Sequence, residues 1–324
     1  MLISTRGLRR MLAAAWLPVV LVWANCAPAA TPESPEESLP SVTVIAPRPP
    51  TPQELAGEAV HDFVQMHARV VAVTGQLARW RTPICPVIEG LPKALTEFVS
   101  ARILAIAANV GAPYQKEETC KGRHNVYVFF TAEPAKLLDN LEKQDARLLG
   151  FHYLDESKNL KKITRPIQGF YVTASRGVKG IANIDEAYPV LPLYETTLTQ
   201  MGKHPPGEPG SRLTSHISSE IVNAIILVDV NKMVGQPIGP ISDYLAVLAL
   251  TQALSPEQCG TLPSILDLMA PSCSGREAPT SITSGDLAFL KGLYRADMEL
   301  VVGMEQSTIA DQMWDQFKER HASR

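Results

Sequence analysis

Ala224-Ile-Ile-Leu-Val-Asp229 is a continuous apolar run closed by an acid, and its reading decides the fold. Five apolar residues in a row leave no polar face for water, which is the pattern of a buried strand rather than a surface one. It sits inside a longer strand-prone stretch, residues 217–230. Working outward, a Gly239-Pro240-Ile241 turn launches a helix over 242–254, with Asp243 placed to favour the helix dipole. Upstream, Asn125-Val-Tyr-Val-Phe-Phe130 and Gly169-Phe-Tyr-Val-Thr-Ala174 predict two further strands.

Helices fill the intervals. Thr51-Pro52-Gln53-Glu54 forms a capping box, and the helix it opens is expected to run to 73, burying Val60, Phe63, Val64, His67, Val70 and Val71. A second follows Gly90-Leu91-Pro92 and stops at Gly111 and Pro113; its stripe is Leu95, Phe98, Val99, Ile103 and Ile106. Further helices are expected over 134–149, from the capped Thr283-Ser-Gly-Asp286 to 294, and over 301–320. Residues 176–212, rich in Gly and Pro, form a long connection with one short strand. No internal repeat is present. This order predicts an α+β fold, a mixed sheet with flanking helices, as a single domain over 53–324 with a sub-boundary near 176–212.

The N-terminus speaks to compartment. Arg6, Arg9 and Arg10 precede fourteen largely apolar residues, 11–24, and then Ala27-Pro28-Ala29-Ala30. That is the order of a secretory signal peptide, taken as residues 1–29, and it is shorter than the roughly twenty residues a membrane span needs. Two variants remain open. Cys26 could carry a lipid anchor, although Asn25 and Trp23 stand where small and aliphatic residues are wanted; Arg9-Arg10 resembles a twin-arginine signal. Residues 30–52 are rich in Pro, Glu and Ser and read as a flexible linker, interrupted by the β-prone Ser41-Val-Thr-Val-Ile-Ala46.

Cleavage takes three of the 30 basic residues and none of the 33 acidic ones, so the formal charge moves from −3 to −6. No run of five basic residues occurs, which argues against nucleic acid as a partner. No second apolar segment is long enough to cross a membrane. Four cysteines remain after cleavage: Cys85, Cys120, Cys259 and Cys273. They allow three connectivities. The local pairs Cys85–Cys120 and Cys259–Cys273 are favoured, each worth roughly 3 kcal/mol. Four buried thiols are the alternative. No two cysteines have zinc-site spacing, and no cofactor is expected.

Catalytic motifs are missing. There is no G-x-S-x-G elbow, no phosphate-binding Gly-rich loop and no H-x-x-x-H pair among seven histidines. His61 and His67 lie on different faces of one helix; His204 and His321 fall in a loop and at a terminus. His124, His152 and His216 adjoin predicted strands and could converge with Asp229 or Asp155. His152, His216 and Asp229 are therefore the alternative site, that of a secreted hydrolase. Arg79-Trp80-Arg81 and Arg165-Pro-Ile-Gln168 are candidate recognition elements.

The last hundred residues carry a further pattern. The strand to Asp229 is followed by Leu248-Ala-Leu-Thr-Gln-Ala-Leu-Ser255, then Ser264-Ile-Leu-Asp-Leu-Met-Ala-Pro271, then Ile282-Thr-Ser-Gly-Asp286 entering a helix that ends Leu293-Tyr294. This resembles the C-terminal half of a metzincin-like (zincin-type) metalloprotease domain: an active helix H-E-x-x-H-x-x-G-x-x-H, a Met-bearing turn, and L-[ST]-x-x-D leading into a helix. In that register the ligand positions fall on Leu248, Gln252 and Gln258, and the catalytic glutamate on Ala249. Leu cannot bind zinc, a Gln amide binds it poorly, and Ala249 cannot take a proton from water. The resemblance implies a pseudo-enzyme scaffold and leaves residues 53–170 outside it. The expectation is an exported, periplasmic, non-catalytic binding or envelope-associated protein, its partner an envelope protein or a small ligand.

Overall fold

The apolar run at 224–229 lies in the longest strand, Ile217–Asp229, at the heart of a six-stranded mixed sheet. The structure, a computed structural model, describes residues 52–150, 162–177, 180, 182–185, 214–253, 258–275 and 277–322. All of them belong to the unit Pro49–Arg324. The signal peptide, Cys26, the linker 30–51, His152, Asp155, His204 and most of the 176–212 connection lie outside the described residues.

In chain order the strands are β1 (Ala78–Trp80), β2 (Pro86–Glu89), β3 (Val126–Thr131), β4 (Ile167–Gly177), β5 (Ala182–Ile184) and β6 (Ile217–Asp229). The helices are α1 (Pro52–His67), α2 (Lys93–Val110), the one-turn α3 (Glu117–Cys120), α4 (Pro134–Asp145), α5 (Ile238–Leu250), α6 (Ser284–Arg295) and α7 (Val302–Ala322). The order across the sheet is β2-β3-β6-β4-β5. β4 runs antiparallel along one edge of β6, from Ile167 opposite Val228 to Gly177 opposite Ile217. The other edge is shared. β1 lies parallel to the first half of β6 (Trp80 opposite Ile221) and β3 parallel to the second (Val126 opposite Ala224). β2 and β3 are parallel neighbours joined through α2, the crossover a parallel pair requires. Because β4 and β6 flank the 176–212 connection and pair along their lengths, both sides of it share one sheet.

The period-2 alternation of strands divides the core. Ala224, Ile226 and Val228 face the larger cluster with Val126 and Val128, under α1, α2, α5, α6 and α7. Ile225 and Leu227 face the smaller one with Phe170, Leu138 and Leu149, under α4. The central strand is thus buried on both faces, as its unbroken apolar run demands. Both favoured disulfides are present, Cys85–Cys120 and Cys259–Cys273, with Cα–Cα distances of 6.0 and 5.4 Å. Among the described residues no helix is long and apolar enough to cross a membrane.

Several expectations shift. α1 ends at His67 rather than 73, because a turn through Gly75 (φ 68°) folds Val70 back to bridge Leu77. Val70 is consequently exposed. On α2, Val99, Ile103 and Ile106 are buried, but Leu95 in the first turn and Phe98, about 100° around the helix from Val99, are exposed. α5 begins four residues earlier than expected. Pro240 sits in its first turn, where no backbone donor is needed, and the helix ends at Leu250 because Thr251 is extended (φ −141°, ψ 172°).

Candidate functional site

A helix leaves its last four carbonyls short of partners. In α5 all four are met. Val247 O accepts from Thr251 N (3.1 Å) and Oγ1 (2.9 Å). Leu248 O accepts from the Tyr171 hydroxyl (2.9 Å), Ala249 O from Trp80 Nε1 (2.7 Å) and Leu250 O from the Tyr294 hydroxyl (2.8 Å). Those three donors come from β4, β1 and α6, so the end of α5 is sealed by three separate elements. Burial raises the pKa of both tyrosines, which keeps each hydroxyl protonated and donating. Gly169 makes the geometry of Tyr171 possible: a Cβ there would stand 2.5 Å from the Tyr171 hydroxyl oxygen.

The start of α5 is held by charge. Asp243, buried, accepts from both Arg102 Nε and Nη2 on α2 (Nη2 at 3.0 Å) and from Ile282 N (2.7 Å). It therefore acts as a clamp on two neighbouring segments, beyond any interaction with the helix dipole. A second buried carboxylate, Asp286, ties α6 to the turn at 264. It accepts from Ser264 Oγ (2.6 Å), Ile265 N (2.8 Å) and Thr283 N (2.9 Å). Ser264 and Thr283 each head a capping box, with Asp267 and Asp286 as the third residues. Beside this weld lies His67, buried, its Nδ1 on Phe63 O (2.8 Å) and its Nε2 without a hydrogen-bond partner among the described residues. Burial lowers its pKa.

Polar groups also gather where β1, β4 and the first half of β6 meet. Arg79 (β1) is buried against Glu305 (α7) and donates from Nη1 to Ala296 O at 3.0 Å. Burial outweighs Arg79 and pushes Glu305 up to about 7. Glu220, buried on β6, takes two hydrogen bonds from Arg176 Nη2 (2.8 and 3.0 Å) and lies 3.9 Å from Arg81 Nε. Asp185 accepts from Thr173 and Ser175 hydroxyls at 2.6 and 2.5 Å. Arg81 and Arg176 are partly exposed, at 44% and 27%, so two guanidinium groups share one carboxylate at the protein surface.

Of the alternative site, the structure describes only His216 and Asp229. His216 and Asp229 flank β6 at opposite ends, about 40 Å apart at roughly 3.3 Å per residue. His152 lies outside the described residues. His216 and Asp229 therefore do not meet, because a strand spaces its ends by its own length. The register drawn from the metzincin-like resemblance also changes. Leu248 and Ala249 are buried, and Gln252 lies beyond the end of α5, so positions 248 and 252 are not one helical turn apart on a common face. Gln258 is exposed. Of the recognition elements, Trp80 and Arg79 are interior while Arg81 reaches solvent, and in Arg165-Pro-Ile-Gln168 only Ile167 is buried. Tyr171, Tyr294 and Glu305 were not legible as functional positions, since nothing local in sequence marks a side chain that caps a distant element.

No protein-family model matches this chain, and neither does any curated protein or solved structure.

Proposed function

We propose that this chain is an exported, non-catalytic binding protein of the cell envelope, built on a scaffold similar to a zincin-type domain whose chemistry has been removed. The sealed end of α5 carries the reading. Where the resemblance would set the first zinc ligand and the catalytic glutamate, Leu248 and Ala249 are buried apolar groups whose carbonyls are capped by Tyr171 and Trp80, with Tyr294 capping Leu250. Supporting the scaffold, the strand, helix, turn and capped helix pack against one another in the expected order, with Asp286 binding back onto the Ser264 turn. Two disulfides suit an oxidising, extracytoplasmic compartment. The paired guanidinium groups of Arg81 and Arg176 make the adjoining end of the sheet the first place to seek a ligand, and an acidic group is the chemistry they would accept.

The test is metal content of the oxidised full chain, exported natively and purified without chelators. Substoichiometric zinc and other transition metals are expected. One tightly held metal per oxidised chain would overturn the reading. The mass of the mature N-terminus separates cleavage after residue 29 from a lipid-modified Cys26.

A further inference from the structure

Cys120 closes the one-turn helix α3, and the next two residues, Lys121 (φ 49°) and Gly122 (φ 75°), are both left-handed. Two such residues in succession reverse the chain. Arg123 N then donates to Cys120 O at 2.9 Å, and His124 returns beside Cys120, giving a C-x₃-H spacing folded onto itself. Cys85 arrives from the segment before β2 and is clamped there by Asn125: Cys85 N donates to Asn125 Oδ1 (2.7 Å), and Asn125 N to Cys85 O (3.2 Å). Tyr127, through its hydroxyl on His124 O (3.0 Å), steadies the third corner.

One donor atom from each of Cys85, Cys120 and His124 lies within 4.8 Å of the others. His124 Nδ1 is shut off from solvent and has no hydrogen-bond partner among the described residues. Leaving a buried nitrogen unmet costs about 1–3 kcal/mol.

We infer that Cys85, Cys120 and His124 form a redox-gated site for a thiophilic d10 cation, with zinc(II) as its simplest occupant. In the oxidised chain the two sulfurs are spent on each other. A dithiol reductant opens the site: the Cys85–Cys120 bond breaks, the reductant's own sulfur–sulfur bond forms, and two electrons and two protons pass to the cysteines. Zinc displaces both thiol protons, and two thiolates with one neutral imidazole leave a centre of zero net charge, its fourth position open to water. The geometry admits this. Tetrahedral zinc with Zn–S near 2.3 Å and Zn–N near 2.0 Å places its ligand atoms about 3.5–3.8 Å apart, inside the 4.8 Å that the three donor atoms span. Cys85 and Cys120 are themselves buried, and the turn from Lys121 to Arg123 beside them is exposed.

The experiment uses the full chain, oxidised or reduced with a water-soluble phosphine, which becomes its oxide with oxygen from water and does not compete for zinc as a dithiol would. Zinc(II) alone is added, counted by native mass spectrometry, and its affinity read by competition with a chromogenic chelator. The oxidised chain should hold none at this site and the reduced chain one. His124→Gln should weaken binding by at least about tenfold, and His124→Cys should restore it. Cys259→Ser with Cys273→Ser should leave it intact. The inference is overturned if the reduced chain takes no zinc or unfolds without taking it. It is equally overturned if His124→Gln binds as tightly as the parent, or if zinc follows Cys259 and Cys273. Metal on the oxidised chain tests the proposed function; metal gained on reduction tests this site.

Discussion

Tyr171→Phe removes one oxygen atom and one hydrogen bond, and its cost follows from where that bond ends. The hydroxyl donates to Leu248 O at 2.9 Å, inside the protein, on a carbonyl that the helix itself cannot satisfy. Removing the donor leaves a buried acceptor unmet, which costs about 1–3 kcal/mol. Gly169→Ala attacks the same bond from below, since its Cβ would stand 2.5 Å from the hydroxyl oxygen and 2.9 Å from the ring carbon bearing it. That clash should displace the ring and cost at least as much. The two changes must then be coupled. With the hydroxyl already gone, part of the clash disappears, so the double variant should cost less than the sum of the singles by on the order of 1 kcal/mol. Equilibrium urea unfolding of oxidised protein, followed by far-ultraviolet circular dichroism, measures all four corners of the cycle. Unchanged m values would show that the end states are comparable. A cost below about 0.5 kcal/mol for Tyr171→Phe, or strict additivity, would refute the claim that this hydroxyl seals α5.

Other expectations follow from the same structure. Glu305, held near 7 by burial, binds its proton more tightly folded than unfolded, so its contribution to stability is full below the unfolded value near 4.3 and is lost as pH rises to about 7. Glu305→Gln should therefore gain on the parent by on the order of 1.4 kcal/mol per pH unit across that window, and parallel pH–stability curves would exclude it. His67 works the other way. Its lowered pKa makes folding lose stability as pH falls below about 6.5, a slope that His67→Phe should remove in thermal melts. Gly90 and Gly111 both have positive φ, 87° and 82°, yet only a Cβ at Gly90 would overlap another group, the Phe130 carbonyl. Gly111→Ala should cost about 1 kcal/mol and Gly90→Ala clearly more, by urea unfolding. An acidic peptide that binds at Arg81 and Arg176 should lose affinity in the double alanine variant by calorimetry, and the melting temperature should fall as well because Glu220 is left buried without a cation; binding that persists would move the ligand elsewhere.

What the sequence determined by itself are the features written in neighbouring residues. The apolar run at 224–229 specifies a strand buried on both faces, because no alternation means no wet face. The Thr283–Asp286 capping box specifies the start of α6, because donor and acceptor lie three residues apart. Even the disulfide pairing was legible, since short loops close most readily. Tertiary structure decided everything that depends on partners far along the chain. The end of α5 moved from 254 to 250, because its carbonyls find Tyr171, Trp80 and Tyr294 from three other elements. Leu95 and Phe98 read as part of the helical stripe in sequence but stay exposed, because the packing of α2 buries the face of Val99, Ile103 and Ile106 instead. His216 and Asp229, both adjoining one strand, looked available to each other until the strand's length held them apart. Periodicity and capping act over one or two turns, and a chain can announce them locally. A site, a seal or a cavity needs groups brought together across tens of residues, and only the packing of the sheet and its helices chooses which ones meet.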